Sequence, residues 1–207
     1  MTQVWCADIF NISEFAPYAA EVSTTKVRYT LLDLAAANKF GFALSKEDFP
    51  ARVLSMRTPP KPLKDYAFIS ADIPMVSTKL AGLLQSLDVG QSKFFATEFY
   101  SEDGKTRLEH KHLFWSLANR KDTLVAPECR GIFQMQGQKG QKIPELYSSR
   151  DPIKDDDLAV RAEALAGADF WVEKKFSNTV FFTARFERLM SENGFRDLFP
   201  LKSVRVI

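Results

Sequence analysis

The chain has little of what cross-links, exports or anchors a small protein. It holds two cysteines in 207 residues, Cys6 and Cys129, too few and too far apart for a disulfide framework. They read as buried free thiols in a reducing cytoplasm. The opening "MTQVWCADIFNISEF" has no basic segment followed by an apolar stretch, so no signal peptide is expected. No run approaches the roughly 18 apolar residues of a membrane span. "LLDLAAA", Leu31 to Ala37, is short and carries Asp33. A formal net charge of +2 leaves no basic footprint for nucleic acid. A G-x-S-x-G elbow and a G-x-G-x-x-G after a strand are both missing, and "GQKGQK", Gly137 to Lys142, lacks the spacing and final hydroxyl of a phosphate-binding loop.

What is plentiful is apolar surface: 45% of residues, eighteen of them Phe. That composition is globular, and a chain of this length buries roughly 70% of its unfolded surface without staples. The length fits a single domain over 1–207, or two lobes, 1–125 and 151–207, joined by a loop over 126–150.

Along the chain, "QVWCADI" (Gln3 to Ile9) and "ARVLSMR" (Ala51 to Arg57) read as strands. The second is stopped by "TPPKPLKDY", whose prolines cannot donate to a ladder. "KVRYTLLDLAAANKFGFAL" fits strand and helix alike. "KFFATEFY" and "TRLEHKHLFWSLA" (Thr106 to Ala118) read as a hairpin around "EDG". Pro127 to Pro152, rich in Gln, Gly and Lys, reads as a long loop, and Asp157 to Ala168 as a short helix favoured by its leading acids. "DFWVEKK" and "PLKSVRVI" complete the strands.

Two segments share one helical grammar. Ser77 is a good N-cap, Leu80, Leu83, Leu84 and Leu87 form a stripe, and Gly90 is a stop. Thr183 leads Phe186, Leu189 and Met190 to Gly194 in the same way. The helices expected are Ser77 to Asp88 and Thr183 to Asn193, each leading into a strand. The fold class expected is α+β: a mixed or largely antiparallel sheet packed by two similar capped helices, with an internal helix–strand repeat.

Residues that carry chemistry are sparse. The histidines, His110 and His112, share a strand face, and with a carboxylate would make a metal site. The same face carries Leu108 and Phe114, so a half-buried strand is the plainer reading. A nucleophile–base pair of Cys129 with a histidine has no support in the spacing. "DPIKDDD" does not meet the ligand pattern of a calcium loop. No catalytic residue, metal or cofactor is expected. Charge is uneven, however: Asp151 to Glu173 holds Asp151, Asp155, Asp156, Asp157, Glu163, Asp169 and Glu173 against Lys154 and Arg161. Asp151, Asp155, Asp156, Asp157 and Glu163 are the candidates for contact with a basic partner surface.

The order of the pieces from about Lys61 to the C-terminus resembles the immunity protein eleven family, bacterial proteins that neutralise polymorphic toxins. "KPLKDYAFISADIPMVSTKLAGLLQSLDV" is similar to the family's "kkpkD" phrase followed by a small residue and "VS" opening a Leu-rich helix. "SKFFATEF", "EDG", "LEHKHLFWSL" and Asp122 follow in the family's order. "ADFWVEKKFSNTVFFTARFERLMSENGFRDLFPL" matches its closing "D-x-F", second capped helix and final strand. The usual Arg after "D-x-F" is replaced by Trp171 or Val172, and Thr123 is the hydroxyl nearest Asp122. The resemblance implies a non-catalytic inhibitor that binds a cognate toxin acting in the cytoplasm, without nucleic-acid or membrane contact. The alternatives are a small metal-dependent hydrolase using His110 and His112, and an adaptor in a secretion assembly.

Overall fold

The computed structural model describes residues 3–11, 18–21, 31–69, 73–136 and 142–207. The "GQKGQ" stretch at 137–141 and the start of the segment read as strand or helix, 26–30, lie outside the described residues. In chain order the first elements are β1 (Val4–Ala7), β2 (Tyr18–Ala20), α1 (Leu31–Lys39), β3 (Arg52–Ser55), β4 (Tyr66–Ile69), β5 (Ile73–Ser77) and α2 (Thr78–Leu84). Next come β6 (Lys93–Ala96), β7 (Glu98–Tyr100), β8 (Arg107–Leu108), β9 (His112–Ser116), β10 (Arg120–Lys121), β11 (Ile132–Gln136) and β12 (Lys142–Ser149). The last are β13 (Ala159–Val160), β14 (Phe170–Glu173), β15 (Val180–Thr183), α3 (Ala184–Glu192) and β16 (Lys202–Val206).

The class is α+β, with mostly antiparallel strands. They form a six-stranded sheet in the order β10-β14-β15-β1-β16-β13, four-stranded sheets β4-β5-β9-β6 and β2-β3-β7-β8, and the pair β11-β12. Two of these sheets share a pattern. In each, a hairpin (β4-β5 or β14-β15) leads into a helix. The strand after the helix (β6 or β16) joins the sheet beyond an intervening antiparallel strand. In the first sheet that strand is β9; in the second it is β1, from the opposite end of the chain. The expected unit of a helix with its following strand is therefore not contiguous in the fold.

Both helices lay their stripes into a core that unites the two sheets: Leu80 and Leu84 of α2, Phe186 and Met190 of α3, and Tyr66, Trp115, Phe170 and Phe182 from the strands. Leu83 and Leu189, expected in the stripes, are only half-buried at its margin. A second core under α1 contains Leu34, Val53, Met75, Phe99 and Phe114. Asn38 pins α1 to β9, donating from Nδ2 to Trp115 O (3.0 Å) and accepting from Leu117 N–H (2.7 Å).

The helix ends differ from one another. Ser77 Oγ accepts from Leu80 N–H at 3.2 Å, as an N-cap should. Thr183 makes no such bond; its hydroxyl donates to Asp169 Oδ1 instead. At the C-terminus of α3, Phe195 N–H reaches Met190 O (2.8 Å) and Gly194 N–H reaches Ser191 O (3.4 Å). That is a Schellman turn with Gly194 at φ +75°. Helix α2 ends at Leu84, and Gly90 serves the loop beyond it: a Cβ there would lie 2.3 Å from Asn119 Oδ1.

Three expectations are corrected. Thr106 to Ala118 is two strands, because β8 pairs with β7 while β9 joins β5 and β6. The stretch expected as loop 126–150 contains the hairpin β11-β12, pinned where Tyr147 N–H donates to Lys175 O (2.9 Å). Asp157 to Ala168 is not a helix. Leu158, Ala159 and Val160 are consecutively buried, which extended chain between two layers achieves and an exposed helix does not. β13 pairs parallel with β16, and a 3-10 turn, Ala162–Leu165, follows.

Candidate functional site

The acidic segment is a tight turn clasped to β16. Asp157 Oδ2 accepts from Lys154 N–H at 2.9 Å, a side-chain-closed turn of the kind aspartate favours. Asp156 takes φ +62°, and its N–H donates to Ser203 O at 2.9 Å. Ser203 returns two bonds, from N–H to Asp155 Oδ1 and from Oγ to Asp156 Oδ1, both 2.8 Å. Arg205 Nε donates to Asp156 O at 3.1 Å. Asp155 and Asp156 are thus exposed yet fixed, and Asp157 is half-buried beside them. Among the described residues no basic side chain forms an ion pair with these three carboxylates.

The other candidates lie apart from that turn or on its flank. Glu163 is exposed on the 3-10 turn. Asp151 lines a cleft of about 630 Å³ whose floor includes Cys6, Ala7 and Phe176 and whose rim includes Asp197 and Lys202. Burial pushes the Cys6 thiol well above its ordinary range, and so makes it a poor nucleophile. Cys129 is also raised by burial, with its sulfur bonded to the backbone of Val125 (3.4 Å) and Ala159 (3.3 Å from N–H).

His110 and His112 are brought together, with ring centroids 6.3 Å apart against Phe99. Their Nε2 atoms are already engaged. Tyr18 gives its hydroxyl proton to Lys61 O (2.6 Å), so His110 Nε2 donates to the phenol oxygen at 2.6 Å. His112 Nε2 donates to Lys64 O at 2.9 Å. Burial lowers the pKa of both rings. Among the described residues no third histidine, cysteine or carboxylate completes a metal-ligand group with them.

The buried charges were missed as a group in the sequence, although "DFWVE" signals them by placing acids at both ends of an apolar strand. Glu173, 1% exposed, accepts from Thr123 N–H (2.9 Å), Leu124 N–H (3.2 Å), Trp171 Nε1 (2.9 Å) and the Thr123 hydroxyl. Asp169, 2% exposed, accepts from Asp88 N–H (2.9 Å) and Thr183 Oγ1, with Arg185 Nη1 at 3.3 Å. Lys121 Nζ donates to the carbonyls of Ala164, Ala166 and Ala168 (2.8, 2.8 and 3.1 Å) and lies 3.7 Å over the Trp171 ring. Burial lowers its ammonium to about 8 against the pull of Glu173, Asp169 and Asp88. Carbonyls converging on one ammonium are unavailable to a helix, which gives a second reason why this stretch is not helical.

A parallel links the two hairpins. Ser77 N–H donates to Asp65 O (2.8 Å) and its hydroxyl to Asp65 Oδ1; Thr183 N–H donates to Asp169 O (2.9 Å) and its hydroxyl to Asp169 Oδ1. Each helix therefore starts from the same aspartate–hydroxyl clamp. No family model matches the chain, and no curated protein matches its sequence.

Proposed function

We propose that this chain is a non-catalytic immunity protein that binds and neutralises a bacterial toxin domain acting in the cytoplasm. The observation that carries this reading is the acidic turn. Asp155, Asp156 and Asp157 are held in place by β16 and their own backbone, and two of them are exposed. A prearranged cluster of carboxylates, with no ion pair to a basic side chain among the described residues, suits a basic surface such as a nuclease cleft built to hold phosphates. The family resemblance over 61–207 supports the same reading. The buried groups that chemistry would recruit are engaged otherwise: Glu173, Asp169 and Lys121 each bond to the backbone of a neighbouring segment. The hydrolase alternative has less support, because among the described residues no carboxylate or cysteine joins His110 and His112 in a metal-ligand group.

The test is coexpression with the C-terminal domain of a large modular toxin encoded beside this chain's gene. Relief of growth arrest together with a stoichiometric complex on size exclusion is the expected result. Continued arrest with both proteins soluble and separate refutes the reading.

A further inference from the structure

The Pro-rich segment "TPPKPLKD", Thr58 to Asp65, presents an anchoring problem. Pro59, Pro60 and Pro62 have no N–H, so the segment has few donors to offer and must be held through its carbonyls. Its ends are held at Thr58, whose Oγ1 donates to Glu102 Oε2 (3.0 Å), and at Asp65, whose carbonyl accepts from Ser77 N–H (2.8 Å). Among the described residues two side chains hold its middle: the Tyr18 hydroxyl on Lys61 O and His112 Nε2 on Lys64 O. His110 braces the first by donating to the Tyr18 oxygen. One aromatic cluster, Tyr18, Phe99, His110 and His112, thus fastens the segment to β2, β7 and β9.

The same geometry makes the fastening sensitive to protons. With Nε2 of His112 donating, Nδ1 carries the lone pair, and it is buried with no hydrogen-bond partner. A proton added there creates a buried N–H without an acceptor. It also sets a cation beside His110, which opposes protonation of that ring in turn.

We propose that His110 and His112 form a proton-operated latch that holds the middle of the Pro-rich segment, Lys61 to Lys64, while neutral and loosens it on acidification. Among the described residues the charged and titratable groups facing the pair are Asp65 from the segment, Tyr18 from β2 and each imidazole for the other. Burial lowers His112 and outweighs both its hydrogen bond to Lys64 O and the charge of Asp65, which favour the charged ring. The cost of protonation therefore falls on the buried Nδ1 and not on the Nε2 bond. His110 is lowered by burial and then by His112. β7 contributes the uncharged Phe99 to the cluster. Because the closed form holds both rings below their free value, the opened segment binds more protons. The latch is at full strength above about pH 6.5 and weakens as pH falls below it. This inference is independent of the toxin reading.

Hydrogen exchange by mass spectrometry on the full chain at pH 7.5 and 5.0, corrected for intrinsic rates, tests it. Protection over residues 57–66 is expected to fall by about tenfold for each pKa unit by which the fold depresses a histidine, while β14 and β15 change little. The double variant His110→Gln/His112→Gln retains a donor amide at each Nε2 position but does not titrate, and should stay protected at both pH values. Equal protection of the wild type at both pH values, or an equal fall in the variant, overturns the proposal. Proton NMR titration of the two imidazoles gives a readout that does not depend on the variant folding. Both midpoints are expected below about 6.5, and a midpoint for either ring at or above that value also overturns it.

Discussion

Replacing Glu173 by Gln changes the side chain's shape very little and its bonding a great deal. The carboxylate is 1% exposed and receives bonds at both oxygens: Thr123 N–H and Leu124 N–H at Oε2, Trp171 Nε1 and the Thr123 hydroxyl at Oε1. An amide NH₂ turned to the Oε2 position would face two backbone donors. Turned to the Oε1 position it faces the indole N–H and a hydroxyl that rotates to accept, so this orientation wins and orphans one buried donor. That orphan costs about 1–3 kcal/mol, and the remaining bonds lose their charge assistance, while some ionic desolvation is recovered. The net expectation is about 2 kcal/mol for Glu173→Gln. For Glu173→Ala, which strips acceptors from Thr123, Leu124 and Trp171 together, it is about 4 kcal/mol. Urea denaturation followed by tryptophan fluorescence measures both through the midpoint at constant slope. A Gln variant within about 0.5 kcal/mol of wild type would refute the view that this carboxylate holds the fold, and would return it to the list of groups free to do chemistry.

Two further outcomes separate the packing and partner readings. Leu84→Ala, at a fully buried position of α2, should cost about 2–5 kcal/mol in the same denaturation assay, and Leu83→Ala, half-buried on the next position, should cost clearly less. Changing Asp155, Asp156 and Asp157 together to Asn keeps a carbonyl oxygen for the Ser203 and Lys154 bonds, so the melting temperature should hold while association with a captured toxin domain slows at low salt. An unchanged association rate at low salt moves the interface off this turn.

The strands written in β-branched and aromatic residues were legible: β1, β3, β14 and β16 all fall within the segments read for them. What escaped is instructive. The hairpin β11-β12 hides in Gln, Gly and Lys because its ladder is a separate two-stranded one. It is attached to the segment 175–177 through the Tyr147 backbone, the Glu145–Lys175 ion pair and Ser177, with Ile132 and Tyr147 packed on the core. The Ala- and Leu-rich stretch after Asp157 has good helical propensity, but propensity is a weak prior. Burial of Leu158 to Val160 and the convergence of three carbonyls on Lys121 override it. In the candidate site, the acidic composition was visible and its geometry was not. The clasp depends on Ser203, far away in sequence, and the fastening of His110 depends on Tyr18, which no spacing rule connects to it.

The two helical cassettes look alike for a local reason, and that reason divides fold from function in this chain. Each cassette begins with a serine or threonine whose amide and hydroxyl both bond to an aspartate across a hairpin: Ser77 to Asp65, Thr183 to Asp169. These four residues also lie in the phrases on which the resemblance to the immunity protein eleven family rests. Their role here is to set where a helix leaves a sheet. A chain that kept both clamps and the cores beneath α2 and α3 would keep the fold whatever its surface carried. The acidic turn depends on different residues, Lys154 and Ser203, and lies at the flank of β16, apart from both clamps. Substitutions in the turn can therefore leave the clamps untouched. On the proposed reading as a toxin inhibitor, a change of partner would act there first, and the turn is the part of the surface where related chains of the same fold should differ most.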